Sequence, residues 1–152
     1  MPSSTFERSI TTSATPAEAW QVLTDVHRVA GWIPVVEGVT ELAHLERYRA
    51  VLRDQVGPFK LRADLNIEVT EARDGEAISF RAAGEDRQVG SRLAVEAQLV
   101  LAESEPGRTS VAVNGRYEVV GRVATLGAGT IRKKASTILD QFFTNAEKAL
   151  TG

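Results

Sequence analysis

The stretch that decides the fold is VATLGAGTIRKKASTILDQFFTNAEKAL, residues 123–150. Within it Leu126, Ile131, Ala135, Ile138, Leu139, Phe142, Phe143, Ala146 and Leu150 recur at steps of three, four and one. That is the period of an α-helix with one wide apolar face. Arg132, Lys133, Asp140, Gln141, Glu147 and Lys148 fall mostly on the other side. At ~1.5 Å per residue such a helix reaches roughly 40 Å. A helix with so broad an apolar face is not stable alone in water. It needs a large apolar surface to lie on, and the middle of the chain supplies one.

There the pattern changes to period two. In residues 59–71, Phe59, Leu61, Ala63, Leu65, Ile67 and Val69 alternate with Lys60, Arg62, Asp64, Asn66 and Glu68. This is a strand with one face buried and one face wet. Similar runs over 35–42, 46–56, 91–103 and 109–120, and one around Ile78, Phe80 and Ala82, predict further strands. Gly57-Pro58, Asp74-Gly75 and Pro106-Gly107 mark turns, and 84–87 reads as a polar loop. Upstream, residues 5–12 read as a first strand with Phe6, Arg8 and Ile10 on one face. Thr15-Pro16-Ala17-Glu18 opens a helix to about Asp25 through a capping box with proline at its first position. A second short helix, about 26–32, ends before Pro34. Short turns make neighbouring strands antiparallel. The expected fold is therefore α+β, a curved antiparallel sheet of about seven strands wrapped around the long C-terminal helix.

The 152 residues are read as one domain, 1–152. A net charge of -2 gives no electrostatic case for nucleic acid. Cysteine is absent, which excludes disulfide and thiolate chemistry. No apolar run resembles a signal peptide or a membrane span, so a cytoplasmic location is expected. His27 and His44, the only histidines, lie seventeen residues apart, without the spacing of a transition-metal site. No GxSxG elbow nominates a serine nucleophile. Gly127-Ala128-Gly129 lacks the third glycine of a dinucleotide fingerprint and is read as an irregular helix start. The run Arg132-Lys133-Lys134 reads as a solvated helix face or as a contact with anionic lipid head groups.

Several inward positions are small: Ala50, Ala63, Ala82, Ala97, Gly115 and Ala135. They fit either an apolar pocket between sheet and helix or a close-packed core in which small residues let the helix approach. The candidate lining is Tyr48, Leu61, Leu65, Phe80, Val95, Leu99, Tyr117, Ile131 and Ala135, with Thr109 as a further polar candidate, although Tyr48, Thr109 and Tyr117 can equally be core residues with satisfied hydroxyls. Trp32 and Ile33, beside Pro34, together with Leu126, are the candidate lid or mouth, although Trp32 can equally pack into the core.

The order of elements resembles the helix-grip fold of the START/Bet v 1-like (SRPBCC) superfamily, and most closely the CoxG-like family, named for a subunit of carbon monoxide dehydrogenase. The residues that carry this are Pro16-Ala17-Glu18-Ala19-Trp20, Asp25, Ile33-Pro34, Val56-Gly57-Pro58, Gly84-Glu85-Asp86 and Gly121-Arg122-Val123-Ala124-Thr125-Leu126-Gly127. Two features depart from the family pattern. Val35 stands where many members have glycine, and the sequence stops at Gly152, where many continue into a hydrophobic tail. The resemblance implies a non-catalytic binding or carrier protein for a hydrophobic small molecule such as menaquinone, with no covalently bound cofactor. It also implies a molybdenum hydroxylase partner and, for this sequence, at most transient membrane contact. Two other readings stay open: a polyketide cyclase or dehydratase-like enzyme, and a maturation factor for a partner enzyme.

Overall fold

A computed structural model describes residues 3–150. The elements run β1 (Ser3–Thr12), α1 (Pro16–Leu23), α2 (Val26–Ala30), β2 (Val36–Ala43), β3 (Arg47–Val56), β4 (Phe59–Arg73), β5 (Ala77–Asp86), β6 (Ser91–Glu105) and β7 (Arg108–Gly121). A 3₁₀ turn, Arg122–Leu126, then leads into α3 (Ala128–Leu150). The seven strands form one antiparallel sheet in the order β1-β7-β6-β5-β4-β3-β2. This is the expected helix-grip architecture.

Local chemistry explains the boundaries. The Thr15 hydroxyl accepts the Glu18 N–H at 3.2 Å while the Glu18 carboxylate takes the Thr15 N–H at 3.4 Å, the reciprocal capping expected at α1. The long apolar stretch is not one helix from Val123. Gly127, at φ 94°, breaks it, so α3 proper spans 23 residues, about 35 Å.

The polar segment 84–87 is not a loop either, since β5 continues to Asp86. The strand tolerates this carboxylate because it accepts the N–H groups of Arg62 at 2.7 Å and Val89 at 3.0 Å, closing the β5–β6 turn. Those bonds, Arg62 first, hold its carboxyl below the ordinary range. Gly84 belongs in the strand because a Cβ there would collide with the Asp64 carbonyl and the Leu65 side chain.

The convex face is wet, as the alternation requires. Arg47, Glu68, Arg81, Glu96 and Arg116 stand opposite one another in register across five strands, an alternating ladder of charge. Within it Arg81–Glu68 and Arg116–Glu96 close to 3.3 and 3.1 Å. Among the described residues Leu42, at 50%, is the one large hydrophobic that is exposed. No helix is long and apolar enough to cross a membrane.

Candidate functional site

The wide stripe of α3 faces the concave side of the sheet and approaches it closely along β1. Both ends of this sandwich are packed. At the C-terminal end of α3, Ala14, Ala19, Leu23, Trp32, Leu101, Val111, Ala146 and Leu150 form a buried cluster. At its N-terminal end Val56, Tyr117, Val119, Val123 and Ile131 form another.

Between the ends Phe143 of α3 is buried against Ala97 and Val113, and longer apolar side chains pack around these clusters with part of their surface still accessible. Leu61 on β4, Phe80 on β5, Val95 and Leu99 on β6, Phe6 on β1, and Ala135, Leu139 and Phe142 on α3 all stay half-buried. Apolar side chains under a covering helix would be sealed in a close-packed interior. These keep part of their surface accessible along the seam between α3 and the middle strands.

The candidate residues are distributed as follows. Leu61, Val95, Tyr117, Leu126, Ile131 and Ala135 meet in one cluster at the N-terminal end of α3. Phe80 and Leu99 join Ala97, Val113 and Phe143 next to it. Leu65 is buried with Ala50 and Ala63 under β3 and β4.

Tyr48 lies further along β3, and its hydroxyl accepts the Leu45 N–H at 2.8 Å, steadying a turn in which Leu45 adopts φ 55°. Burial pushes its phenol above the ordinary value, against the lowering effect of that bond. Thr109 is likewise committed to structure, donating to the Ala14 carbonyl at 2.7 Å. Tyr117 differs: among the described residues its hydroxyl makes no hydrogen bond, and it is not sealed from solvent.

The lid candidates do not belong to one lid. Trp32 is buried beside Phe142, ring centroids 5.7 Å apart, and its carbonyl accepts from Asn145 Nδ2 at 3.1 Å. Leu126 sits about 20 Å away along the axis of α3, where a Cβ on Gly57 would come within 3.1 Å of it. Ile33 is half-buried beside Trp32. Leu126 and the β3–β4 turn therefore lie at one end of the interface between α3 and the sheet, and Trp32 at the other.

The small inward residues are not the open part. Ala50, Ala63, Ala82 and Ala97 are all buried, and Gly115 is covered by Phe6, whose Cζ would lie 2.8 Å from an added Cβ.

Two polar features went unnoticed in the sequence. Asp54 continues the inward parity of Tyr48, Ala50 and Leu52 and stands opposite Leu61 in register, so its carboxylate is on the concave face. Lys134 Nζ reaches Asp54 Oδ2 at 2.9 Å, with side chains 36% and 14% exposed. On the other flank of the helix, Arg8 donates to Ser136 Oγ at 2.9 Å and to Asp140 Oδ1 at 3.2 Å. Thus α3 is strapped to β3 on one side and to β1 on the other. The parity of Asp54 was legible in the strand; its partner on the helix was not.

His27 and His44 are both exposed, away from this seam, and His44 meets Glu41 at 2.9 Å. Two open depressions lie on the outer face of the sheet, one around Glu7, Phe80, Arg81, Glu96 and Arg116, the other around Arg62, Asp64, Glu85 and Arg92. Open to water and lined by charges, they offer an apolar ligand no gain from desolvation.

Comparison with known proteins agrees with the fold. A conserved protein from Geobacillus kaustophilus is 22% identical, with a TM-score of 0.85 over 97% of this chain and 95% of that one. A START superfamily protein from Mycobacterium smegmatis is 13% identical, with a TM-score of 0.71 over 96% of each chain. The Zhui aromatase/cyclase from Streptomyces sp. R1128 is 15% identical, with a TM-score of 0.65 over 97% of this chain and 91% of that one. No curated protein matches the chain. Residues 9–151 match the family of the carbon monoxide dehydrogenase subunit CoxG, and the chain belongs to that family.

Proposed function

We propose that the chain is a non-catalytic carrier for a hydrophobic small molecule, in its sharpest form a membrane quinone such as menaquinone, serving a molybdenum hydroxylase of the carbon monoxide dehydrogenase type. The observation that carries the reading is the half-buried apolar lining between α3 and the middle strands, with Leu61, Phe80, Val95 and Leu99 on one wall and Ala135, Leu139 and Phe142 on the other. Family membership supports the partner class. Each buried CH₂ is worth about 0.8 kcal/mol, so a twenty-carbon prenyl tail faces a barrier on the order of 15 kcal/mol to crossing water. An apolar cleft removes most of that barrier without any chemistry.

Charge placement supports transient membrane contact. No acidic residue lies between Glu118 and Asp140, a stretch holding Arg122, Arg132, Lys133 and Lys134. Arg122, Arg132 and Lys133 are exposed at the end of the cleft bounded by Leu126. Each such cation near an anionic leaflet is worth about 1 kcal/mol. The opposite turns carry Glu71, Asp74, Glu76, Glu103 and Glu105 against Arg73 and Arg108, which pair with Glu71 and Glu105. The net charge of -2 thus hides a molecule with a basic cleft end and an acidic far end.

The test is transfer. Protein incubated with menaquinone-loaded vesicles of anionic lipid is separated by flotation and its quinone quantified. Saturable uptake near one quinone per chain is expected. Failure to carry quinone away from the vesicles would overturn the reading.

A further inference from the structure

We propose that the Asp54–Lys134 pair is the head-group site of this cleft, selecting amphiphiles with a neutral hydrogen-bond acceptor, such as a ring carbonyl, over amphiphiles with an anionic head. The proposal rests on the carrier reading and adds the ligand chemistry that the cleft accepts.

The pair stands where a head group would come to rest. Asp54 lies on the concave face between Leu52 and Val56 and opposite Leu61, all apolar. Lys134 comes from α3 beside Ile131, Ala135 and Ile138, which belong to the apolar stripe. At 36% exposure Lys134 is at the rim, while Asp54, at 14%, is one step inside. A ligand with its tail among Leu61, Val95 and Leu99 would leave its polar end at this pair.

The hydrogen-bond inventory sets what that end can be. An ammonium carries three N–H donors, and Asp54 is the one acceptor Lys134 meets among the described residues. Donors are left for a ligand oxygen. Asp54 is engaged at both oxygens, Oδ2 by Lys134 at 2.9 Å and Oδ1 by the Gln55 N–H at 2.9 Å. As an acceptor-only group it holds Lys134 in place and offers no donor to a ligand carbonyl, which is left to the ammonium. A neutral carbonyl gains a charge-assisted bond from Lys134. An anionic head gains little net attraction from a pair that is already neutral, and loses more hydration than a carbonyl on entering partly desolvated surroundings. Asp54 is thus a positioning and selecting residue, and Lys134 the donor.

Three probes of one ring system separate the terms by calorimetry: 2-methyl-1,4-naphthoquinone, 2-methylnaphthalene and naphthalene-2-carboxylate. The wild-type chain is expected to bind the quinone most tightly. K134M should weaken the quinone about tenfold or more, the size of one bond to a charged donor, and leave the hydrocarbon unchanged. A mere strap between helix and sheet would move both probes together, which would overturn the proposal. D54N should strengthen the carboxylate about tenfold or more while the quinone changes less than about threefold. This second variant stands independently should K134M not fold, as judged by circular dichroism. If the hydrocarbon and quinone bind alike and neither variant alters their ratio, the cleft stands and the head-group site falls. If no probe binds the wild-type chain, the carrier reading falls and takes this one with it.

Discussion

Replacing Ala135 by Trp makes the room in the cleft a question of sign. Ala135 is half-buried on the stripe of α3, packed against the cluster that contains Tyr117, Val119 and Ile131. An indole adds roughly 150 Å² of apolar surface, about 4 kcal/mol of transfer free energy at ~25 cal/mol per Å². A half-buried site realises about half of that. Ordering the ring costs about 1 kcal/mol, and losing alanine's helix preference about another half. The expected net effect is zero to about 1 kcal/mol of stabilisation, a melting temperature unchanged or raised by up to about 4 °C. A filled interior would instead be overpacked at a cost of about 1–3 kcal/mol, lowering Tm by about 2–10 °C. Differential scanning calorimetry reads the sign, and titration with 2-methyl-1,4-naphthoquinone should show binding lost because the indole occupies the site. A fall of several degrees, or unchanged quinone binding, would refute the reasoning.

The remaining predictions concern what holds the grip together. Thr109→Val removes a fully buried hydroxyl from the Ala14 carbonyl and should cost about 1–3 kcal/mol, read as a lower urea midpoint. Asp86 has a folded-state pKa depressed below its unfolded value of about 3.9. The stability it contributes is therefore present above about pH 4 and lost as pH falls through the folded value. The gap in denaturant midpoint between wild type and Asp86→Asn should accordingly be wide at pH 7 and narrow towards pH 3; a gap that widens with acid would contradict the assignment. Arg8→Met breaks the β1 strap, but the Arg8 and Asp140 side chains are 41% and 67% exposed, so the loss should stay within about 1 kcal/mol. A larger drop would mean that this strap, not apolar packing, seats the helix.

Much of the fold was legible because two periodicities dominate the chain. The alternation of Phe59 to Val69 could only serve a half-buried strand, and the stripe from Ile131 to Leu150 could only serve a helix lying on it. Local rules were weaker at the boundaries. Gly84-Glu85-Asp86 looks like a turn by composition, yet it is strand, because tertiary partners decide: the Asp64 carbonyl crowds Gly84 and the Arg62 N–H satisfies Asp86.

The site was legible in part for a related reason. Parity placed Leu61, Phe80, Val95 and Leu99 on the concave face, but parity cannot say how far a helix stands from a sheet. Small residues fit open volume and close packing equally well, and Ala63, Ala97 and Gly115 are covered by their neighbours. The hydroxyls of Tyr48 and Thr109 suit a ligand or a satisfied place in the core equally by sequence, and they serve Leu45 and Ala14, residues whose approach depends on turns. The Asp54–Lys134 pair joins positions eighty residues apart. Nothing local announces such a pairing.

The claim on which the rest depends is that apolar room between α3 and the middle strands receives a small molecule. A crystal structure grown with 2-methyl-1,4-naphthoquinone tests it most directly. The account predicts ring density between Ala135 and Leu139 on one side and Leu61, Phe80 and Val95 on the other, with a carbonyl directed at Lys134. A solid interior, with the quinone absent or seated on the convex face, would contradict it.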